Sequence, residues 1–201
     1  MEGVLLDYFT SLLSELEPAR ESDINEVVSH LPNLITPTQN DLLMKLVELG
    51  ELEDALNQMK QGTAPGPDGF TINFFVQFWD LVKMDVHQIV EASREGGGIL
   101  KAFNATFLTL IPKTEGTNDP SLFRPISLCN MIYKLITKIL DNQLKPILPL
   151  LISAKQSRFV EGRQILDVIL LVNEVAHSLK TTRKPGMMLK FDMAKAFDKL
   201  S

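Results

Sequence analysis

The sequence predicts a predominantly helical α+β fold. Apolar residues recur at helical spacing through most of the first 100 residues, and a stretch rich in β-branched and aromatic residues interrupts them near residue 104. With 201 residues and an apolar fraction of 45%, the chain can bury a hydrophobic core of its own. We therefore expect one domain or slightly more.

The first 60 residues predict three helices. Val4–Leu16 and Glu51–Met59 each carry apolar residues on one face. Between them, residues 33–38 form an extended link, and Thr36 or Thr38 opens a short helix that runs through Leu49 and ends at Gly50.

A rigid turn and a long helix follow. Four of the six residues of Ala64–Gly69 are Pro or Gly, which excludes regular structure. Thr71 then caps a helix that continues to about Arg94 and closes at Gly96–Gly98. Its predicted buried side is mostly aromatic and consists of Phe74, Phe75, Phe78, Trp79, Val82 and Val86.

The pattern then becomes extended. Asn104–Pro112 predicts a strand that ends at its proline, and Phe123–Leu128 predicts a second one. The loop between them is rich in turn-forming residues, so the two strands should form a hairpin.

The remaining residues predict two helices and a final strand. Asn130–Leu144 places Ile132, Leu135, Ile136, Ile139 and Leu140 inward and Lys134, Lys138 and Lys145 outward. A second helix covers about Arg163 to Lys180, and Met187–Phe191 forms a strand that ends at Asp192.

Charge is divided unevenly along the chain. Residues 1–100 hold 5 basic and 17 acidic side chains, a net charge of −12, whereas residues 101–201 hold 15 and 8, a net charge of +7. A basic half offers cations to phosphates, and this favours nucleotide or nucleic-acid binding there. The competing interpretation is the ordinary unevenness of charge between segments.

Several classes of protein are disfavoured. No apolar run is long enough to span a membrane, and the first residues lack the features of a secretory signal or transit peptide, so we expect an intracellular protein of the nucleus or cytoplasm. The single Cys129 excludes an internal disulfide and a cysteine-zinc site. His30, His87 and His177 do not have the spacing of metal ligands.

Two aspartates near the last residue of the sequence could take part in metal chemistry. Mg²⁺ prefers oxygen ligands, usually one or two carboxylates with phosphate oxygens and water. Asp192 at a strand end could supply one carboxylate, and Asp198 follows six residues later. This spacing is common, and a turn or helix-cap role is the competing interpretation.

Five segments in one order carry a resemblance to a known family. They are Ala64–Phe70 (APGPDGF), Leu110–Lys113 (LIPK), Phe123–Leu128 (FRPISL), Gln156–Arg163 (QSRFVEGR) and Phe191–Asp198 (FDMAKAFD). Together they strongly resemble the reverse transcriptase domain of LINE-type non-LTR retrotransposons, particularly those of plants. The resemblance implies a right-hand polymerase fold, with a lead-in segment at 1–30, the fingers at 31–186 and the start of the palm at 187–201.

The resemblance also implies roles for residues near Asp192. Asp192 corresponds to the first catalytic aspartate of the palm and binds Mg²⁺, with the main-chain carbonyl of Met193 as a further ligand. Phe197 occupies the position of the ring that excludes a ribose 2′-hydroxyl. Asp198 is expected to be a supporting polar residue. The expected partners are an RNA template, a DNA primer and deoxynucleoside triphosphates.

Three basic residues receive roles in the same way. Lys113 and Arg124, facing each other across the hairpin, are expected to bind the incoming triphosphate. Arg163 either contacts the template or forms a buried ion pair with Glu161 or Asp167. Gly66 and Gly69 are expected to shape the entry to the fingers, since a phosphate loop would need a following Gly-Lys-Ser/Thr.

Two departures from the family pattern affect the expected activity. Arg158 stands where the family usually has glycine or alanine. No Tyr/Phe-Ala-Asp-Asp sequence occurs, so we expect the 201-residue chain alone to be inactive as a polymerase. Two alternatives stay open at this point: a non-catalytic RNA- or DNA-binding module, and a decayed remnant that does not fold stably.

Overall fold

The computed structural model describes residues 2–14, 21–153, 156, 160–183 and 185–187. These residues form two compact units. The hairpin unit comprises Ile35–Thr117 and Leu122–Leu148, and the terminal unit comprises Met1–Leu34, Asn118–Ser121 and Pro149–Ser201. This division into compact units does not test the predicted boundaries of the lead-in segment, the fingers and the palm, which stay predictions.

The described residues confirm the helix-rich α+β class. In chain order the helices are α1 (Glu2–Leu13), α2 (Glu21–Ser29), α3 (Pro37–Leu43), α4 (Leu49–Gln58), α5 (Ile72–Gln77), α6 (Trp79–Glu95), α7 (Met131–Leu144), α8 (Leu148–Leu151) and α9 (Ile165–Thr182). Between α6 and α7 lie the strands β1 (Thr106–Pro112) and β2 (Phe123–Cys129), with a 3-10 turn at Pro120–Leu122. The predicted hairpin is confirmed, because β1 and β2 pair antiparallel. The predicted strand Met187–Phe191 lies almost entirely outside the described residues.

The core of the hairpin unit lies between α4, α5, α6 and α7. Leu52 on α4 and Leu135 on α7 are both completely buried, and α4 packs against α7. Truncating such a residue to alanine costs roughly 2–5 kcal/mol. The other members of the core are Val47, Ala55, Leu56, Ile72, Phe75, Val86, Val90, Met131, Ile132, Ile136 and Ile139.

The predicted long helix from Thr71 to Arg94 is wrong in one respect, because it breaks at Phe78. The backbone there has φ −108° and ψ 20°, which separates α5 from α6. Both α5 and α6 pack against α4, so the break lets Phe75 and Val86 reach the same core. The prediction that Phe78 is buried is also wrong, since its side chain is 43% exposed and stacks on Phe74 at a centroid distance of 5.1 Å.

The predicted short helix ending at Gly50 is wrong as well. Thr36 does cap α3, accepting a hydrogen bond from the Gln39 N–H at 3.3 Å, but α3 ends at Leu43. Gly50 lies inside α4, whose start is fixed by the Glu48 N–H donating to Glu51 Oε2 at 2.9 Å. The intervening chain is held by α6, where Glu91 accepts the Val47 N–H at 2.7 Å.

Helix α7 follows the prediction closely. Ile132, Leu135, Ile136 and Ile139 are buried as expected. Leu140, predicted inward, is 51% exposed, because the neighbouring elements cover only the face centred on Leu135.

The terminal unit is described by itself. Phe9 is buried on α1, and its ring meets that of Tyr8 edge to face at 5.1 Å. Helix α2 was not predicted, because its sequence is strongly polar and shows only two neighbouring valines and one isoleucine. Helix α9 corresponds to the predicted helix near Arg163 to Lys180, shifted by two residues.

Candidate functional site

Two cations, Lys113 and Arg124, lie near the loop end of the hairpin. Arg124 pairs with Ile111, and the Lys113 N–H donates to the Leu122 carbonyl at 2.8 Å. Side chains alternate between the faces of a strand, so Arg124 lies on the face of Ile111, and Lys113 follows directly after the end of β1. They occupy diagonal positions rather than opposite ones, a relationship that typically separates Cβ atoms by about 7–8 Å. Two long basic side chains at this separation can reach the same anion.

The same face is apolar and open beside the cations. Phe107 is 58% exposed, and Ile111 and Ile126 are also exposed. The opposite face is better covered, since Leu110, Pro125 and Phe123 are half-buried. An open apolar surface next to two cations can take a ligand with a flat apolar part and an anionic part.

The hairpin joins the core at Asn130, a residue that the sequence did not identify. Asn130 Oδ1 accepts the Asp68 N–H at 3.1 Å, and its Nδ2 donates to the Ala102 carbonyl at 3.0 Å. Gly66 lies against the same residue, where an added Cβ would come within 2.5 Å of Asn130 N. The turn at 64–69 therefore packs on the base of the hairpin.

The lysines of α7 bind within the protein. Lys134 Nζ donates to the Ala64 carbonyl at 3.0 Å. Lys138 and Lys145 both pair with Asp141, at 3.0 and 3.5 Å. The hydrogen bond from Lys138, opposed by partial burial and assisted by the charge of Lys145, holds the pKa of Asp141 below its ordinary value. These lysines are consequently less available to a ligand than their number implies.

Arg163 donates hydrogen bonds to main-chain carbonyls within the terminal unit. Its Nη1 donates to the carbonyls of Ser153 at 2.6 Å and Gln156 at 2.8 Å, and its Nη2 donates to Ile152 at 3.1 Å. Within the described residues it forms no ion pair with Glu161 or Asp167. The guanidinium thus stabilises the chain just after α8, where main-chain carbonyls need donors.

The predicted metal site lies outside the described residues, as do Asp192, Met193, Phe197, Asp198 and Arg158. Within the part of the chain that is described, no group of three or more His, Cys, Asp or Glu side chains is arranged to hold a metal ion. No helix in that part is both long and apolar enough to cross a membrane.

Comparison with known proteins defines the class. Residues 111–201 match the family model for reverse transcriptase (RNA-dependent DNA polymerase), and the match includes Lys113, Arg124, Asn130 and Arg163. Residues 111–201 are therefore similar to reverse transcriptase domain sequence, in agreement with the helix-rich α+β fold.

Individual relatives belong to mobile elements. The chain is 30% identical over 193 residues to the transposon TX1 uncharacterized 149 kDa protein of Xenopus laevis, covering 96% of this chain and 15% of the relative. It is 25% identical over 168 residues to a retrovirus-related Pol polyprotein from type-1 retrotransposable element R2 of Nasonia vitripennis, covering 84% of this chain and 15% of the relative. The corresponding polyprotein of Popillia japonica is 26% identical over 151 residues, covering 75% of this chain and 20% of the relative. The chain is thus similar to proteins of a transposon and of type-1 retrotransposable elements, and it spans about a fifth or less of their length.

Proposed function

We propose that the chain supplies the nucleotide-binding fingers of an RNA-directed DNA polymerase encoded by a LINE-type retrotransposon of the plant kind. The polymerase would copy an RNA template by adding deoxynucleotides to a DNA primer. It would act inside the cell, in the nucleus or cytoplasm. The similarity to transposon and Pol proteins supports this function, and the arrangement of the hairpin gives it a physical basis.

One observation carries the proposal: Lys113 and Arg124 are both exposed near the loop end of the hairpin, next to the open apolar face that holds Ile111 and Ile126. A nucleoside triphosphate has an aromatic base and an anionic tail. The exposed apolar side chains can contact the base, and the two cations can bind the tail. Arginine binds phosphate oxygens through a planar fork and lysine as a mobile point charge, so the pair suits a multiply charged tail.

The metal site belongs to the same proposal. Asp192 would hold Mg²⁺ through its carboxylate and Met193 through its main-chain carbonyl, a donor set of hard oxygens that suits this ion. When bound, Mg²⁺ would neutralise charge on the phosphates during transfer. Phe197 would lie under the sugar and favour deoxynucleotides.

The test is a titration of the 201-residue chain with a deoxynucleoside triphosphate and Mg²⁺. Replacing Lys113 and Arg124 together by alanine should abolish most of the affinity. The control replaces Lys60 and Lys101, two exposed lysines of the same unit, and so removes the same net charge. Equal losses from the two double variants would show that the chain attracts the nucleotide only by its overall charge, and the hairpin would not be the site.

A further inference from the structure

The side chain of Asn130 does not do what its position predicts. Asn130 directly precedes α7, where asparagine ordinarily accepts a hydrogen bond from the first N–H groups of the helix. It makes no such bond. The residue is only 2% exposed, and both polar atoms of its amide bind other segments of the chain.

These bonds close the open end of the hairpin. The last residue pair of the ladder is Thr106 with Cys129, and Asn130 follows immediately. Its Nδ2 donates at 3.0 Å to the carbonyl of Ala102, which lies just before β1. Its Oδ1 accepts at 3.1 Å from Asp68 in the 64–69 turn. One amide therefore joins both ends of the hairpin to that turn.

Many side chains of the two hairpin strands are exposed. Six of the seven residues of β1 and three of the seven of β2 are exposed. By contrast, Met131 and Ile132, which directly follow Asn130, are buried in the core. The base of the hairpin is therefore held by buried residues, in contrast to most of β1.

We propose that Asn130 is a positioning residue that fixes the hairpin, and with it Lys113 and Arg124, for nucleotide binding. The claim that the ligand is a nucleotide rests on the proposed function, whereas the claim that Asn130 fixes the hairpin does not. An amide suits the position, because its oxygen accepts from one segment while its nitrogen donates to another. Aspartate would keep the acceptor for the Asp68 N–H but would place a second acceptor against the Ala102 carbonyl.

The orientation of the hairpin can be measured directly with two spin labels. Cysteines replace Glu115 in the hairpin loop and Leu140 on the exposed side of α7, in a chain where Cys129 is changed to serine. Pulsed electron paramagnetic resonance then gives the distribution of distances between the labels. We expect a narrow distribution with Asn130 and a broadened one with Asn130→Ala and Asn130→Asp.

The control is Val90→Ala, which weakens the same core without touching the hairpin. Even when Val90→Ala lowers the melting temperature as much as the Asn130 variants do, it should keep the narrow distribution of label distances. If Asn130 only stabilised the protein, Val90→Ala, Asn130→Ala and Asn130→Asp would all give the same distribution. Unchanged distributions in both Asn130 variants would overturn the proposal.

The same chains without labels are titrated with a deoxynucleoside triphosphate and Mg²⁺, where the Asn130 variants should lose roughly tenfold or more in affinity. If the unsubstituted chain binds no nucleotide, the proposed function fails while the distance measurement still decides the role of Asn130.

Discussion

Gly66 lies so close to Asn130 that no side chain fits between them. A Cβ on Gly66 would come within 2.5 Å of the Asn130 backbone nitrogen and of its Oδ1. Gly69 in the same turn is required for a different reason, since it has φ +73° and no atom within 4 Å of its added Cβ. The turn thus combines one glycine needed for close approach with one needed for backbone conformation.

Alanine at Gly66 should destabilise the protein, because the backbone of Cys129 and Asn130 must move to admit the methyl group. Overpacking of this kind typically costs about 1–3 kcal/mol. Gly50 provides the matched control, as it lies in α4 with no atom within 4 Å of an added Cβ. Alanine there should raise stability by up to about 1 kcal/mol. Urea unfolding measures the change in stability of each variant. A loss of stability in both variants would contradict the role assigned to Gly66.

Stability should depend on pH through Glu91. Partial burial of this carboxyl opposes its ionisation, but the Val47 N–H, the Arg94 guanidinium and the charge of His87 outweigh that effect and hold its pKa below the ordinary 4.5. A lowered pKa in the folded state contributes stability above pH 4.5, and this is lost as the pH falls through the folded value. Glu91→Gln should therefore cost about 1 kcal/mol at neutral pH.

The difference in melting temperature between Glu91→Gln and the unsubstituted chain should become smaller as the pH falls. Below the folded pKa both chains carry a neutral side chain at position 91, so their melting temperatures should converge. The control is Glu95→Gln, where the exposed carboxyl lies 3.8 Å from Arg94 in a much weaker pair. A difference that stays constant from neutral to acidic pH would show that Glu91 acts through packing alone.

The fold could be predicted where one segment determines its own structure. The hairpin and α7 follow from alternation, turn residues and helical spacing, and they match the structure almost to the residue. The errors at Phe78 and Gly50 have another origin. A straight helix satisfies the local pattern at Phe78, but packing of α5 and α6 on α4 requires a break. At Gly50, the bonds from α6 to Val47 decide where one helix stops and the next begins.

The candidate site could be predicted less completely. Lys113 and Arg124 were identified by resemblance, and the strand register then placed Arg124 opposite Ile111, with Lys113 directly after the end of β1. Asn130 was missed because its partners lie 62 and 28 residues away, at Asp68 and Ala102. An asparagine before a helix indicates a cap, and only the three-dimensional arrangement shows that this one binds elsewhere.

Arg163 should act on stability more than on nucleic-acid binding. Its guanidinium already donates to three carbonyls, and lysine offers no planar fork to replace it. Arg163→Lys should therefore accelerate hydrogen exchange of the Gln156 N–H, which donates to Ser153 at 3.0 Å. A phosphate contact would give a different result, since each one lost lowers the salt slope of RNA binding by about 1. If Arg163→Lys leaves exchange unchanged while Arg163→Ala lowers that slope, the template-contact alternative holds.

Phe197 offers a test of sugar selection that is separate from affinity. An apolar ring under the sugar should reject a 2′-hydroxyl, because the hydroxyl would be buried without a hydrogen bond. Such steric and desolvation effects discriminate by up to about 10²-fold. Phe197→Ala should therefore bring the affinities for a ribonucleotide and the matching deoxynucleotide closer together, mainly by improving the former. Titration of both nucleotides with Mg²⁺ measures the ratio, and Phe70→Ala serves as the control because it removes a partly exposed ring of the hairpin unit. A ratio that shifts equally in both variants would assign Phe197 to packing.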